Sequence, residues 1–159
     1  MAVDQQEFRG VMGHFATGVT VITTHDGNGQ IFGLTANAVS SVSLNPPLLL
    51  CCVDKKAESY GAFGASKVFV VNILSNDQEV LSRKFSKSGG DKFEGIGYKV
   101  GKTGAPVLND VLAHLECAVR YDFDAGDHTI YVGEPVDIAM DQETDPLLYF
   151  RGGYRNLRA

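Results

Sequence analysis

Positive charge is scarce in this chain: 14 lysines and arginines face 19 aspartates and glutamates, a formal net charge of -5. That balance excludes a general electrostatic grip on nucleic acid or on an anionic membrane. An anionic ligand must instead be held by local cations and backbone N–H groups. No apolar stretch approaches the ~20 residues of a membrane-spanning helix. The opening residues are polar and acidic rather than basic and then apolar, so no secretory leader is expected. Cysteine is sparse as well, with Cys51, Cys52 and Cys117 forming an odd set without CxxC. Such a set argues against a disulfide framework and for reduced thiols in the cytoplasm, and it offers no metal-ligand spacing. Two chemical signatures are also missing. Without GxGxxG after a strand, a nicotinamide nucleotide is not held by the Rossmann fingerprint. Without GxSxG there is no hydrolase nucleophile elbow.

What remains is an ordinary globular composition: 159 residues, 44% apolar and 21% charged. This is enough for one domain with a real core. Asp4 reads as a helix cap with Glu7 as capping-box partner. Phe8, Val11, Met12 and Phe15 then form a helical apolar stripe ending at Gly18. Strand-like runs follow at Val19–Thr24 and Ile31–Asn37, joined by the turn Asp26–Gly29. Asn45-Pro46-Pro47 breaks the chain before the buried strand Leu48–Val53, residues 55–66 read as a short helix, and Val68–Leu74 is another strand. Ser75 and Gln78 predict a second capping box and a helix to Phe85. Residues 86–105 read as a long functional or mobile loop. Leu115, Cys117, Val119, Tyr121 and Phe123 alternate with polar or small residues, predicting a strand with one apolar face on the core. A turn at Ala125–Asp127 leads to the strand Thr129–Met140. Six or seven strands with few helices imply a closed or nearly closed antiparallel barrel.

Four segments carry chemistry. The run from Gly33 to Ser41 is dense in small and hydroxyl side chains, which leaves room for a flat ligand and offers neutral hydrogen bonds. A Ser/Thr-rich barrel edge is the plain alternative. Asp54-Lys55-Lys56 with Ser59 follows a buried strand at a helix start, a natural phosphate site or else a solvated charged turn. In Gly126-Asp127-His128 the glycine permits a tight turn and Asp127 is placed to orient the imidazole; a surface histidine is the alternative. The stretch from Leu147 to Arg155 sets aromatics and arginines around a diglycine, a wall for a planar ring, a strand against a partner subunit, or both.

The blocks GLTANAVSSVSLNPPLLL, FVVNILSNDQEVLSRKFS, DKF, LECAV, GDHTIYVGEP and PLLYFRGGYR occur in the order found in the flavin reductase family. The chain resembles that family, the reductase components of two-component flavin-dependent monooxygenases, over nearly its whole length. The resemblance implies a mainly β, antiparallel split β-barrel that dimerises, with FMN or FAD near the subunit interface and NADH (or NADPH) as hydride donor. It implies that Thr35, Ala36, Asn37 and Ser41 contact the isoalloxazine and that Asp54, Lys55 and Ser59 meet the ribityl phosphate. Phe85 and Lys92 would close the site. Gly126, Asp127 and His128 match the family's GDH motif, with His128 helping to place the nicotinamide. Tyr149 and Tyr154, with Arg155, match its C-terminal aromatic segment. Ala38 departs from the pattern, because many relatives carry serine there. The products would pass to a separate oxygenase, while a flavin-storage module and a pyridoxamine-phosphate-type oxidase are the rival readings.

Overall fold

The computed structural model describes residues 3–141 and 143–157. In chain order the elements are α1 (Gln5–Met12), β1 (Thr17–Gly18), β2 (Thr20–His25), β3 (Ile31–Ala36), β4 (Val39–Leu44), β5 (Pro47–Asp54), α2 (Tyr60–Ser66) and β6 (Val68–Ile73). There follow α3 (Glu79–Phe85), β7 (Tyr98–Val100), β8 (Pro106–Leu108), β9 (Ala113–Ala125), β10 (His128–Met140), β11 (Leu148–Phe150) and β12 (Gly153–Arg155). A seven-stranded antiparallel sheet runs β3-β2-β6-β9-β10-β5-β4. Its two edge strands, β3 and β4, are joined in sequence only by Asn37 and Ala38. Such a link reaches about 10 Å, so the sheet must roll until its edges meet at that corner. There the Cys52 N–H donates to Ala38 O at 3.1 Å. The result is the mainly β split barrel expected from the sequence, with Ile22, Cys51, Val53, Phe63, Phe69, Val71 and Cys117 buried in its interior.

Several local expectations are corrected by packing. Asp4 caps α1 as expected, accepting from Gln6 N at 2.8 Å and Glu7 N at 3.0 Å. The helix stops at Met12, however, and none of its residues is buried: the apolar stripe is there, but nothing among the described residues covers it. The 55–66 helix shrinks to Tyr60–Ser66. At α3 only half the capping box forms, since Gln78 Oε1 accepts from Ser75 N at 3.1 Å while the Ser75 hydroxyl turns to Asp77. On β9 the single apolar face fails beyond Val119. Val132 pairs with Tyr121 but Gly133 with Val119, leaving Arg120 as a bulge. One extra residue reverses the alternation, so Tyr121 and Phe123 stack on the opposite face, both more than half exposed. The long segment 86–105 holds β7 and is pinned by Phe93, whose ring meets Phe85 edge-on at 5.1 Å.

Candidate functional site

β3 runs between two concavities. At its C-terminal end Thr35, Ala36 and Asn37 face Tyr149, Gly152, Gly153 and Tyr154 across a cleft of about 370 Å³, floored by Val19 and flanked by Arg83 and Ser86. The local chain explains the shape. Thr35 Oγ1 donates to Ser82 O at 2.6 Å, which fastens β3 to α3. The Ser82 hydroxyl lies 2.8 Å from the Tyr154 hydroxyl, fastening the same helix to β12. β11 folds back on β12 through Arg151 and Gly152, both left-handed with φ of 50° and 73°, a conformation natural only to the glycine. Tyr149 and Tyr154 meet edge-to-face at 5.5 Å, and the Arg83 guanidinium lies 4.8 Å from the Tyr154 ring centre.

At the other end of β3 a second cavity of about 500 Å³ is lined by Ile31, Phe32 and Gly33 together with Glu58, Ser59 and Lys92. Gly33 has to be glycine, because a Cβ there would stand 2.5 Å from the Phe85 ring. Ser59 is only 3% exposed, yet its hydroxyl has no hydrogen-bond partner among the described residues. An unpaired buried hydroxyl is costly, and in a cavity wall it is a donor held ready. Lys92 Nζ makes only long contacts, 3.3 Å to Gly33 O and 3.4 Å to Phe85 O.

The GDH turn sits farther round the barrel rim. His128 pairs with Asp54 of β5, whose Cys52 on the other side meets Ala38. Two strand spacings sideways and two residues along put His128 about 12 Å from the β3–β4 corner. Its Nδ1 lies 2.7 Å from Asp127 Oδ1. That hydrogen bond, with the imidazole's charge, holds the Asp127 carboxyl below the usual aspartate range.

The residues singled out in the sequence are thus brought together unequally. Thr35, Ala36, Asn37, Tyr149 and Tyr154 share one cleft, and Ser59 with Lys92 share the next. Ser41 lies instead in a third, apolar groove with Asn37 and Tyr149. Phe85 is 1% exposed and acts as packing behind Gly33 rather than as a surface of the site. The Lys55 ammonium is taken up by Asp124 and Gly126. The Asp54 carboxylate accepts from Lys56 N, and the Arg155 guanidinium folds onto Tyr154 O. Sequence reasoning missed Arg83 and Ser86. Their only signal was position, in and just after the last turn of the helix that flanks β3.

Comparison with known proteins shows the family and the fold. The model of the flavin reductase like domain matches residues 12–158. The FMN reductase (NADH) SmoA of Agrobacterium fabrum is 39% identical over 151 residues, 95% of this chain and 85% of that protein. The reductase component of the 4-nitrophenol 4-monooxygenase/4-nitrocatechol 2-monooxygenase of Rhodococcus opacus is 39% identical over 153 residues, 96% of this chain and 80% of its own. Among solved structures, the NADH:FAD oxidoreductase SgcE6 of Streptomyces globisporus, in complex with NAD and FAD fragments, superposes with a TM-score of 0.92 at 36% identity. That match covers 99% of this chain and 97% of the other.

Proposed function

The chain belongs to the flavin reductase-like family, and we propose that it is an NAD(P)H-dependent flavin reductase that moves a hydride from NADH to FMN or FAD. We propose further that the reduced flavin serves a separate monooxygenase, as the name of the Rhodococcus opacus relative suggests. The observation that carries the reading is the pair of cavities strung along β3: an aromatic-walled slot with neutral polar edges, then a pocket holding an unpaired buried hydroxyl and a loosely held lysine. These residues fit a flavin. A planar ring suits the slot beside Thr35, Ala36 and Asn37, and Ser59 with Lys92 suits a phosphate.

A bound flavin would supply the redox chemistry, as acceptor of the hydride that NADH gives up. The chain's own work is alignment, which needs no protein acid to begin. Tyr149 and Tyr154 wall the slot. Asp127 accepts from His128 Nδ1–H, so that Nε2 is the nitrogen left to meet the nicotinamide side.

The active form is a homodimer in this reading, closed over the apolar groove. That groove, about 870 Å³, is lined by Phe8, Met12, Phe15, Leu49, Leu50, Leu115 and Tyr149 among others. Phe8 is 58% and Phe15 71% exposed, and Ile138, the exposed cross-strand neighbour of Leu115, extends the apolar surface. Apolar patches of this kind mark protein interfaces. The cytoplasmic address rests on three free cysteines.

The test is anaerobic mixing of the protein, flavin and NADH, followed at the flavin's visible absorbance. Bleaching with turnover, and NADH oxidation only when flavin is present, is the expected outcome. A static yellow protein would mark a flavin store instead, and flavin-independent NADH oxidation would sink the reading.

A further inference from the structure

Lys55 looks from sequence like a phosphate ligand, but its contacts all go elsewhere. Its backbone N–H donates to Asp127 O at 3.0 Å. Its ammonium donates to Gly126 O at 2.6 Å and to Asp124 Oδ2 at 2.7 Å. One residue just beyond the end of β5 therefore grips Asp124, Gly126 and Asp127, three of the four residues preceding His128. The pair lies at the surface, with the Lys55 side chain 32% exposed and that of Asp124 81%, so its hold comes from the three contacts together rather than from burial.

The turn it grips needs holding. Gly126 takes φ of 69° at the tip of the long β9–β10 hairpin. Exposed hairpin tips open at little cost compared with the core of a sheet. Asp127 in turn fixes the His128 ring through its 2.7 Å contact. Movement of the tip would carry the imidazole with it, and misplacement by about 1 Å costs up to about 100-fold in rate.

We infer that Lys55 is a positioning residue, a clasp that ties the turn Asp124–Asp127 to the end of β5 and so sets where His128 stands. The inference rests on the reading of His128 as the nicotinamide-side residue. The ammonium's bond to Asp124 also holds it above the usual lysine range, so the clasp stays charged at every physiological pH. It assigns the phosphate to the neighbouring cavity of Ser59 and Lys92 and leaves Lys55 to the hairpin.

The test compares Lys55→Met, Lys55→Arg, His128→Ala and the double variant Lys55→Met/His128→Ala. Each is measured for the rate of flavin bleaching against NADH concentration, for melting temperature, and for FMN and riboflavin affinity by fluorescence quenching. Lys55→Met should lower kcat/KM for NADH by about 10-fold, within the range that misalignment allows. FMN and riboflavin affinities should both stay near wild type, and Lys55→Arg should recover most of the loss. The double variant should be no slower than His128→Ala alone, because both changes act through the same imidazole. Additive losses would overturn the clasp. So would selective weakening of FMN with normal NADH kinetics, which would return Lys55 to the phosphate. If His128→Ala alone leaves the kinetics untouched, the underlying reading of His128 fails, and that result is distinct from a silent Lys55→Met beside an impaired His128→Ala.

Discussion

The β3 cleft and the groove beneath α1 lie side by side, share Asn37 and Tyr149, and differ in what each lacks. In the cleft and its extension the side chains are pinned to one another by short hydrogen bonds, and what is unfilled is polar: the Ser59 hydroxyl. The groove is mainly apolar, although Thr17 Oγ1 is buried in it without a partner, and what is chiefly unfilled there is area, beside the exposed Phe8, Met12 and Phe15. A small ligand suits the first because a few placed donors decide its affinity. A protein surface suits the second because apolar contact there is worth about 25 cal/mol per Å² removed from water. Sharing Asn37 and Tyr149 means that closing the groove also sets one wall of the cleft.

The largest expected effect comes from breaking the groove. Met12→Asp with Phe15→Asp puts two charges on the α1 stripe. Sedimentation should show the dimer dissociation constant raised by roughly 100-fold or more, the usual scale for losing buried aromatic anchors. Flavin affinity should fall as well, through the shared Asn37 and Tyr149. A variant that stays dimeric would move the interface away from α1.

Ser59→Ala probes the other side of the comparison at smaller scale. Losing a hydrogen bond to a charged phosphate costs about 1.5–3 kcal/mol, or roughly 10- to 100-fold in FMN affinity. Riboflavin, which lacks the phosphate, should bind as before. The melting temperature should hold or rise, since the substitution removes an unpaired buried hydroxyl. Equal weakening of both ligands would place the phosphate elsewhere.

How far the sequence could be read depended on whether the deciding contact was local. The β2–β3 hairpin was legible because Asp26 accepts from Asn28 N and Gln30 N within its own turn. The GDH turn was legible because Gly126 and Asp127 act on the next residue. Tyr121 and Phe123 were misread because a bulge at Arg120 is set by cross-strand pairing, which periodicity does not report. The contact of Lys55 with Asp124 was out of reach for the same reason, the two lying 69 residues apart in sequence. The α1 stripe was legible as an apolar repeat, but not its end at Met12 or its exposure, since periodicity does not report what covers a stripe. Ser59 stands out in sequence by its helix-start position, but only the packed structure reveals that its hydroxyl is unpaired.

The smallest effect is a labelling rate, and it returns to the groove. The thiolate is the reactive form of cysteine, so burial that raises a thiol's pKa also slows its alkylation. Desolvation in the barrel core pushes Cys51 far up, and desolvation, then the neighbouring Glu116 charge, pushes Cys117 up to about 12. Cys52 is raised too, again by desolvation, but it is half-buried and lines the groove. At roughly pH 8, a little below the ordinary thiol pKa, iodoacetamide should therefore modify Cys52 alone in the folded protein, more slowly than a free thiol and faster as the pH rises. Cys51 and Cys117 should react only after denaturation. If a second copy covers the groove, Cys52 labelling should also slow as protein concentration climbs through the dimer transition. The Met12→Asp/Phe15→Asp variant should restore the fast rate at every concentration. Peptide mapping by mass spectrometry reads all three sites at once. A Cys52 rate independent of concentration, in a protein that sedimentation shows to be dimeric, would mean that the partner sits on another face.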